Sequence, residues 1–187
     1  VSANEADKQA LVEAEADVVI PRPYWKSPLS IIHNAFIGTV GVDESNANGY
    51  FIKLPKDPFA SAKKWWEFLK EQHGLNELGV VISDSHSTPM RRGATGIAIG
   101  FWGLKPTINH IGEKDLFGRK MEIEVSNIVD AIAAGAGLVI VEVSEQQPVA
   151  IARNIPNLTF TDELQKDELF VPYEDDTFRV LYDKFLP

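Results

Sequence analysis

Three carboxylates stand where an apolar run ends or is interrupted. Asp43 follows the stretch Ile37–Val42, Asp84 closes Val80-Val81-Ile82-Ser83, and Glu142 lies inside Leu138-Val139-Ile140-Val141-Glu142-Val143. A charged oxygen in such a run is costly to bury unless it is paired, protonated or bound to a cation. If the three converged they would make a hard oxygen-ligand site suited to Mg2+ or Mn2+. The alternative is that each reaches solvent or a backbone amide at a strand end, and spacing alone does not choose between the two. Soft-ligand chemistry has little to build on. There is no cysteine, and His33, His73, His86 and His110 show no metal-ligand spacing.

Two basic stretches are the other candidates. Met90-Arg91-Arg92-Gly93-Ala94-Thr95-Gly96 sets two guanidiniums beside glycine-exposed amides, a pattern able to hold phosphate or carboxylate bidentately. It reads equally as a surface turn whose arginines answer the acidic excess of the chain. Gly112-Glu113-Lys114-Asp115-Leu116-Phe117-Gly118-Arg119 would present Lys114 on a loop between two glycine turns, or be a charged connector. No phosphate-loop, dinucleotide or nucleophile-elbow motif occurs.

The chain has 187 residues, a size that fits one domain spanning 1–187, and 44% of them are hydrophobic. A formal net charge of −9 argues against nucleic acid or an anionic membrane as the main partner. It does not argue against an anionic ligand, because a bound cation inverts the local field. No stretch reaches the roughly 18 apolar residues of a membrane helix, and no signal-like segment opens the chain, so a cytoplasmic, reducing compartment is the expectation. The chain opens with Val1, which suggests processing or a piece of something longer.

The elements that must position these residues are partly readable. Residues 5–16 are rich in Ala and Glu and suggest a short helix, followed by an extended piece at 18–20 that Pro21 and Pro23 interrupt. Residues 29–40 suggest one or two strands. The clearest helix is 58–73, with Asp57 as N-cap, Pro58 in its first turn and Gly74 as its stop. A buried strand is expected at 78–83, running into Asp84. Residues 93–103 carry so many glycines that close backbone packing or ligand approach is implied. A second helix is expected at about 123–135, then strands at 138–143 and 148–153 joined by Ser144-Glu145-Gln146-Gln147, and a short helix within 175–184. Without a repeating strand–helix alternation, the expected class is α+β with mixed sheets and packed helices.

Taken in order, Gly-Val-Asp-Glu-Ser-Asn (41–46), Leu-Pro-Lys-Asp-Pro-Phe-Ala-Ser-Ala (54–62), Val-Ile-Ser-Asp-Ser (81–85), Arg-Arg-Gly-Ala-Thr-Gly-Ile-Ala-Ile-Gly (91–100), Gly-Glu-Lys-Asp-Leu-Phe-Gly-Arg (112–119) and Pro-Val-Ala-Ile-Ala-Arg (148–153) resemble the coenzyme F420-0:L-glutamate ligases, the F420-0:gamma-glutamyl ligase family. The acidic-then-Phe-Arg run 174–179 is similar to that family's ending, and the likeness covers roughly residues 38–180. It implies the family's fold and a GTP-dependent amide ligase that joins L-glutamate to a carboxylate of coenzyme F420-0 through an acyl phosphate. It further implies Mg2+ or Mn2+, with K+ as a further cation, and a homodimer to which Trp65, Trp66 and Phe101 are candidate contributors. Carried over by position, it implies metal ligands at Asp43, Asp84, Ser85 and Glu142, a nucleotide contact at Asn46, and a nucleotide-wrapping segment made of Ile140, Val141, Glu142, Val143, Ser144, Glu145, Gln146 and Gln147. Arg91, Arg92 and Lys114 are then candidates for holding phosphate or substrate carboxylate, on charge alone.

The sequence departs from the family in four places. His86-Ser87-Thr88-Pro89-Met90 stands where the family usually reads Phe-Gly-Arg-Pro-Trp, which removes an arginine and an aromatic. Val141 stands where a glycine is common, and Glu142 where glutamine is often found, adding a negative charge beside a cation site. The family's N-terminal segment, with nucleotide contacts of its own, would precede Val1, so the chain resembles a shortened relative. Three alternatives follow: a ligase for a folate-like acceptor, a non-catalytic relative that binds nucleotide or an anionic metabolite, and an oligomeric structural domain with no site.

Overall fold

The computed structural model describes residues 5–24, 27–141 and 143–185. It opens with helix α1 (Glu5–Glu15) and a three-stranded antiparallel sheet, β1 (Val18–Ile20), β2 (Leu29–Ile32) and β3 (Ala35–Gly38), in that spatial order. The apolar run expected as one or two strands is therefore two. They are joined at His33 and Asn34, whose φ angles of 53° and 59° give the paired left-handed turn that matches strand twist.

Helix α2 (Pro58–His73) has the bounds its sequence dictates. The Asp57 carboxylate accepts from the Ala60 amide at 2.9 Å, and Gly74 ends the helix at φ 61°. Strand β4 runs Val80–Ser87, longer than the expected 78–83, so Asp84 lies within the strand and not at its end. It pairs antiparallel with β5 (Ala94–Trp102) across a bulge at Ile82/Ser83.

The hairpin is the middle layer of the fold. Ile97 and Ile99 join Val42, Ile37 and Val12 in one apolar cluster on the side of the small sheet. On the other face, glycines let two helices approach. A Cβ on Gly100 would lie 2.6 Å from Pro58 of α2, and one on Gly96 would lie 2.2 Å from the Ala133 carbonyl oxygen. Close packing, and not ligand approach, accounts for these two glycines. A second cluster gathers Phe101, Leu104, Val129 and Ala133. Chain from the C-terminal third covers it. Phe160 pairs with Leu104, and Phe59 stacks edge-on against both Phe101 and Phe170.

A third antiparallel pair, β6 (Thr107–Asn109) and β7 (Val125–Asn127), leads into helix α3 (Ile128–Ile140). The helix expected at 123–135 thus starts later and ends later. Asn127 sets its start by accepting from the Asp130 amide at 3.1 Å, a cap that forces 125–127 to stay extended. The strand expected at 138–143 does not form. Leu138, Val139 and Ile140 are the last turn of α3, because a short apolar run fits a helix end as well as a strand. Residues 148–153 are not a strand either and run with no regular structure, almost wholly exposed. The helix expected within 175–184 is broken into single turns, the helical one being α4 (Arg179–Tyr182). The result is an α+β arrangement of small antiparallel sheets with helices packed on one hairpin. Among the described residues no helix is long and apolar enough to cross a membrane.

Candidate functional site

Asp43 sits at the exit of the first apolar cluster, one residue after buried Val42. Its backbone is fixed by a bridge to Ile52, with N···O distances of 3.1 and 2.8 Å. The side chain turns back on its own loop, where Oδ1 accepts from the Glu44 amide at 2.7 Å and from the Ser45 amide and hydroxyl, each at 3.0 Å. Partial burial pushes the carboxyl up. The Ser45 and Glu44 donors and the Lys8 ammonium outweigh that and hold it below its ordinary value, so the group stays charged. Among the described residues Oδ2 makes no hydrogen bond, which leaves one oxygen for an external cation.

The same loop continues to Asn46, in a left-handed conformation at φ 54° that Asn tolerates better than most residues. Its Nδ2 donates to the Val143 carbonyl at 2.7 Å across 97 residues of sequence. That bond closes one wall of an open groove of about 400 Å3, lined by Asn46, Ile140, Val141, Val143, Glu145, Gln146, Gln147 and Pro148. Two segments assigned to nucleotide binding by resemblance therefore meet. Pro148, which opens the family motif 148–153 but is not among the residues the resemblance assigns to the nucleotide, also lines the groove. Within the groove Glu145 Oε2 accepts from the amides of Val143 at 3.0 Å and Ser144 at 2.9 Å. Hydrogen bonds from its own amide and that of Val143 lead in holding this carboxyl low.

The groove is reached from α3. Asp130 anchors the helix to the hairpin by accepting from the Ala98 amide at 2.8 Å, and Asn127 Nδ2 donates to its other oxygen at 2.6 Å. Further along, Ala133 and Gly137 lie against Gly96. Gly96 is the cross-strand partner of Ser85, and Ile97 that of Asp84. Half-buried Asp84 and Ser85 therefore sit level with the second half of α3, and the helix then runs on into the groove. Asp130 was missed in the sequence, although Asn127-x-x-Asp130 before an apolar run is a readable capping pattern. The helix ends at Val141, whose φ of 57° and ψ of −174° are unusual for a β-branched residue.

Among the described residues no group of three His, Asp or Glu gathers at metal distance. Glu142, the third of the implied carboxylates, lies outside the described residues. The donor types available from Asp43, Asp84 and Ser85 are hard oxygens, one of them a carboxylate held in its charged form, and they fit a hard divalent cation. Arg91 and Arg92 are exposed at the turn between β4 and β5, where the Arg91 amide donates to the Thr88 carbonyl at 3.2 Å. Lys114 is exposed on the connector between β6 and β7, paired through its backbone with Lys120. None of these three side chains lines the groove. Of the aromatics considered for a subunit contact, Phe101 is fully buried and Trp66 nearly so, its indole donating to Leu78 O at 2.8 Å. Both serve the core of the chain, and only Trp65 stays exposed.

A family model described as F420-0:Gamma-glutamyl ligase matches residues 9–154. Coenzyme F420:L-glutamate ligase of Methanothermobacter thermautotrophicus is 38% identical over 148 residues, 79% of this chain and 58% of the relative. The protein of the same name from Methanocaldococcus jannaschii is 40% identical over 147 residues, again 79% and 58%. That of Methanosarcina acetivorans is 32% identical over 172 residues, 91% of this chain and 66% of the relative. The chain thus spans less than two thirds of the length of these relatives.

Proposed function

The chain belongs to the F420-0:gamma-glutamyl ligase family, and from that premise we propose that it acts in a γ-glutamyl ligase reaction that depends on GTP and a divalent metal. In this reading the amino group of L-glutamate is joined to a carboxylate of coenzyme F420-0 or a related acceptor, with GTP as phosphoryl donor. The acceptor carboxylate takes the γ-phosphoryl group and releases GDP. The glutamate amine then attacks the acyl phosphate carbon, loses its proton, and phosphate departs. The physical demand is to bring a carboxylate up to a triphosphate. Mg2+ or Mn2+ held by Asp43, Asp84, Ser85 and Glu142 would neutralise charge on the phosphate oxygens, with K+ as a further cation.

The observation that supports this reading is the Asn46–Val143 hydrogen bond, which joins the loop after Asp43 to the segment after α3 in one groove. The lining of the groove includes apolar Ile140, Val141 and Val143, against which a base could lie, and polar Asn46, Gln146 and Gln147. The exposed arginines of the β4–β5 turn and Lys114 are assigned to an arriving anionic substrate, and the working unit to a homodimer. Thermal denaturation with and without GTP and Mn2+ tests the first half. A concentration-dependent rise in Tm that Asp84→Asn abolishes is expected, and no rise in the wild-type chain would overturn the reading. Release of GDP that requires both L-glutamate and an acceptor carboxylate tests the second half.

A further inference from the structure

Away from the groove, the hairpin of β6 and β7 carries three polar side chains joined in a line. His110 Nε2 lies 3.1 Å from Ser126 Oγ, and His110 Nδ1 lies 3.0 Å from Glu113 Oε2. An ionised carboxylate only accepts, so Nδ1 of the neutral ring carries the proton and Nε2 is left to accept from the Ser126 hydroxyl. That is the arrangement of a nucleophile, a base and a carboxylate that orients the base, and it is recognised by geometry and not by order along the chain.

Backbone bonds fix all three positions. The His110 amide donates to the Glu124 carbonyl at 3.0 Å and the Ile128 amide to the Pro106 carbonyl at 2.8 Å. Bonded pairs alternate along an antiparallel ladder, so Ser126 falls in one of them, opposite Ile108. Ser126 and His110 therefore share one face of the hairpin. Glu113 is held by a turn, its amide donating to the His110 carbonyl at 3.0 Å and its carbonyl accepting from the Met121 amide at 2.8 Å. Asn127 falls between bonded pairs, so its amide is turned away from β6, and it makes no hydrogen bond among the described residues. It directly follows Ser126, and α3 starts one residue later. That amide and the positive end of the helix lie beside Ser126, where a carbonyl oxygen would gain negative charge.

The geometry points to a second reaction centre on this hairpin, with Ser126 as nucleophile, His110 as base and Glu113 as a positioning residue, acting on small uncharged carboxylic esters. Ser126 Oγ attacks the carbonyl carbon and its proton passes to His110 Nε2. The bond from that carbon to the alcohol oxygen breaks, the alcohol leaves with the proton, and acyl-Ser126 remains. Water then attacks the same carbon and gives a proton to Nε2. The bond to Ser126 breaks, the proton returns to Oγ, and the free acid departs. Half-buried Ile108, opposite Ser126, supports a short acyl chain. Exposed Glu113 and Glu124, the latter the backbone partner of His110, disfavour an anionic ester. The site stands on these residues alone and does not rest on the ligase reading.

The test is labelling of the full chain with a fluorophosphonate, which phosphonylates an activated serine hydroxyl with loss of fluoride, and location of the label by peptide mass spectrometry. Nitrophenolate release from p-nitrophenyl butyrate is followed in parallel, and the Tm of each variant checks its fold. Label on Ser126 is expected, at a rate about 100-fold or more lower in His110→Gln, the usual contribution of a general base, and also lowered in Glu113→Gln. Ester hydrolysis should fall in the same order and be lost in Ser126→Ala. The chain has no cysteine, so Ser126→Cys supplies a single thiol as a second probe. Its alkylation by iodoacetamide should slow about tenfold or more when His110→Gln is added. Absence of label at Ser126, rates that ignore the His110 imidazole, or hydrolysis unchanged in Ser126→Ala overturns the inference. GTP with Mn2+ is titrated into wild type as well. Failure of that binding sinks the ligase reading and leaves this site standing.

Discussion

Gly96→Ala probes the contact on which the groove depends. A Cβ at 96 would lie 2.2 Å from the Ala133 carbonyl oxygen and 2.6 Å from its carbon. Both are backbone atoms of α3, so no side-chain rotation relieves the clash, and either the strand or the helix must shift. Overpacking of this kind costs about 1–3 kcal/mol. At about 2–4 °C per kcal/mol for a chain of this size, Tm should fall by about 2–12 °C. Gly137 provides the control, because it faces the same place from the helix side. Its Cβ would be 3.9 Å from the Gly96 amide nitrogen, an ordinary contact. Glycine in a helix costs about 0.5–1 kcal/mol relative to alanine, so Gly137→Ala should raise Tm by about 1–4 °C. Thermal denaturation followed by circular dichroism reads both. Because α3 leads into the groove, GTP affinity should fall in Gly96→Ala and hold in Gly137→Ala. A Gly96→Ala protein as stable as wild type, or a Gly137→Ala protein destabilised alongside it, would refute the packing argument.

Other perturbations separate the parts of the site. Asn46→Gly keeps the left-handed backbone but removes the bond to Val143. The loss of about 1 kcal/mol of preorganisation should weaken GTP about fivefold by calorimetry, and unchanged affinity would remove that bond from the argument. Val141→Gly relieves a conformation that costs of order 1–3 kcal/mol in a β-branched residue, so Tm should rise, and a fall would speak against strain there. Asp43, with its carboxyl held low, contributes stability that is present above the unfolded-state value and is lost as pH falls through the lower folded-state value. The Tm gap between wild type and Asp43→Asn should therefore be constant at neutral pH and close below about pH 4, and a gap that persists in acid would contradict the donor pattern.

What the sequence made legible was local. Asp57, Pro58 and Gly74 mark both ends of α2 because capping is chemistry among residues a few positions apart. The Asn127 cap of α3 follows the same rule, although the expected start of that helix, at about 123, puts Asn127 inside it. The contacts that make the site are of another kind. No pattern within 41–46 or 140–147 announces a hydrogen bond between them, and only the resemblance placed the two segments together. The glycines of β5 show the limit from the other side. Composition signals that something comes close to the backbone, and the fold shows that helices α2 and α3 do so at Gly100 and Gly96 respectively.

The two helix ends make the point about the groove in physical terms. Helix α2 stops at Gly74 with φ 61° and ψ 36°, a stop with no Cβ penalty, and it leads to ordinary surface chain. Helix α3 stops at Val141 with φ 57° and ψ −174°, close to a region held almost only by glycine. A valine stays there only if the surroundings over-determine it. On one side α3 is fixed to the hairpin by the Asp130–Ala98 bond and by the Gly96 contact, so the helix cannot slide. On the other, Val143 is held by Asn46, so the chain must turn within two residues to reach it. The backbone at 141 absorbs the mismatch between those anchors. The groove is therefore a consequence of where α3 is pinned, and the residue under strain is the one directly before Glu142.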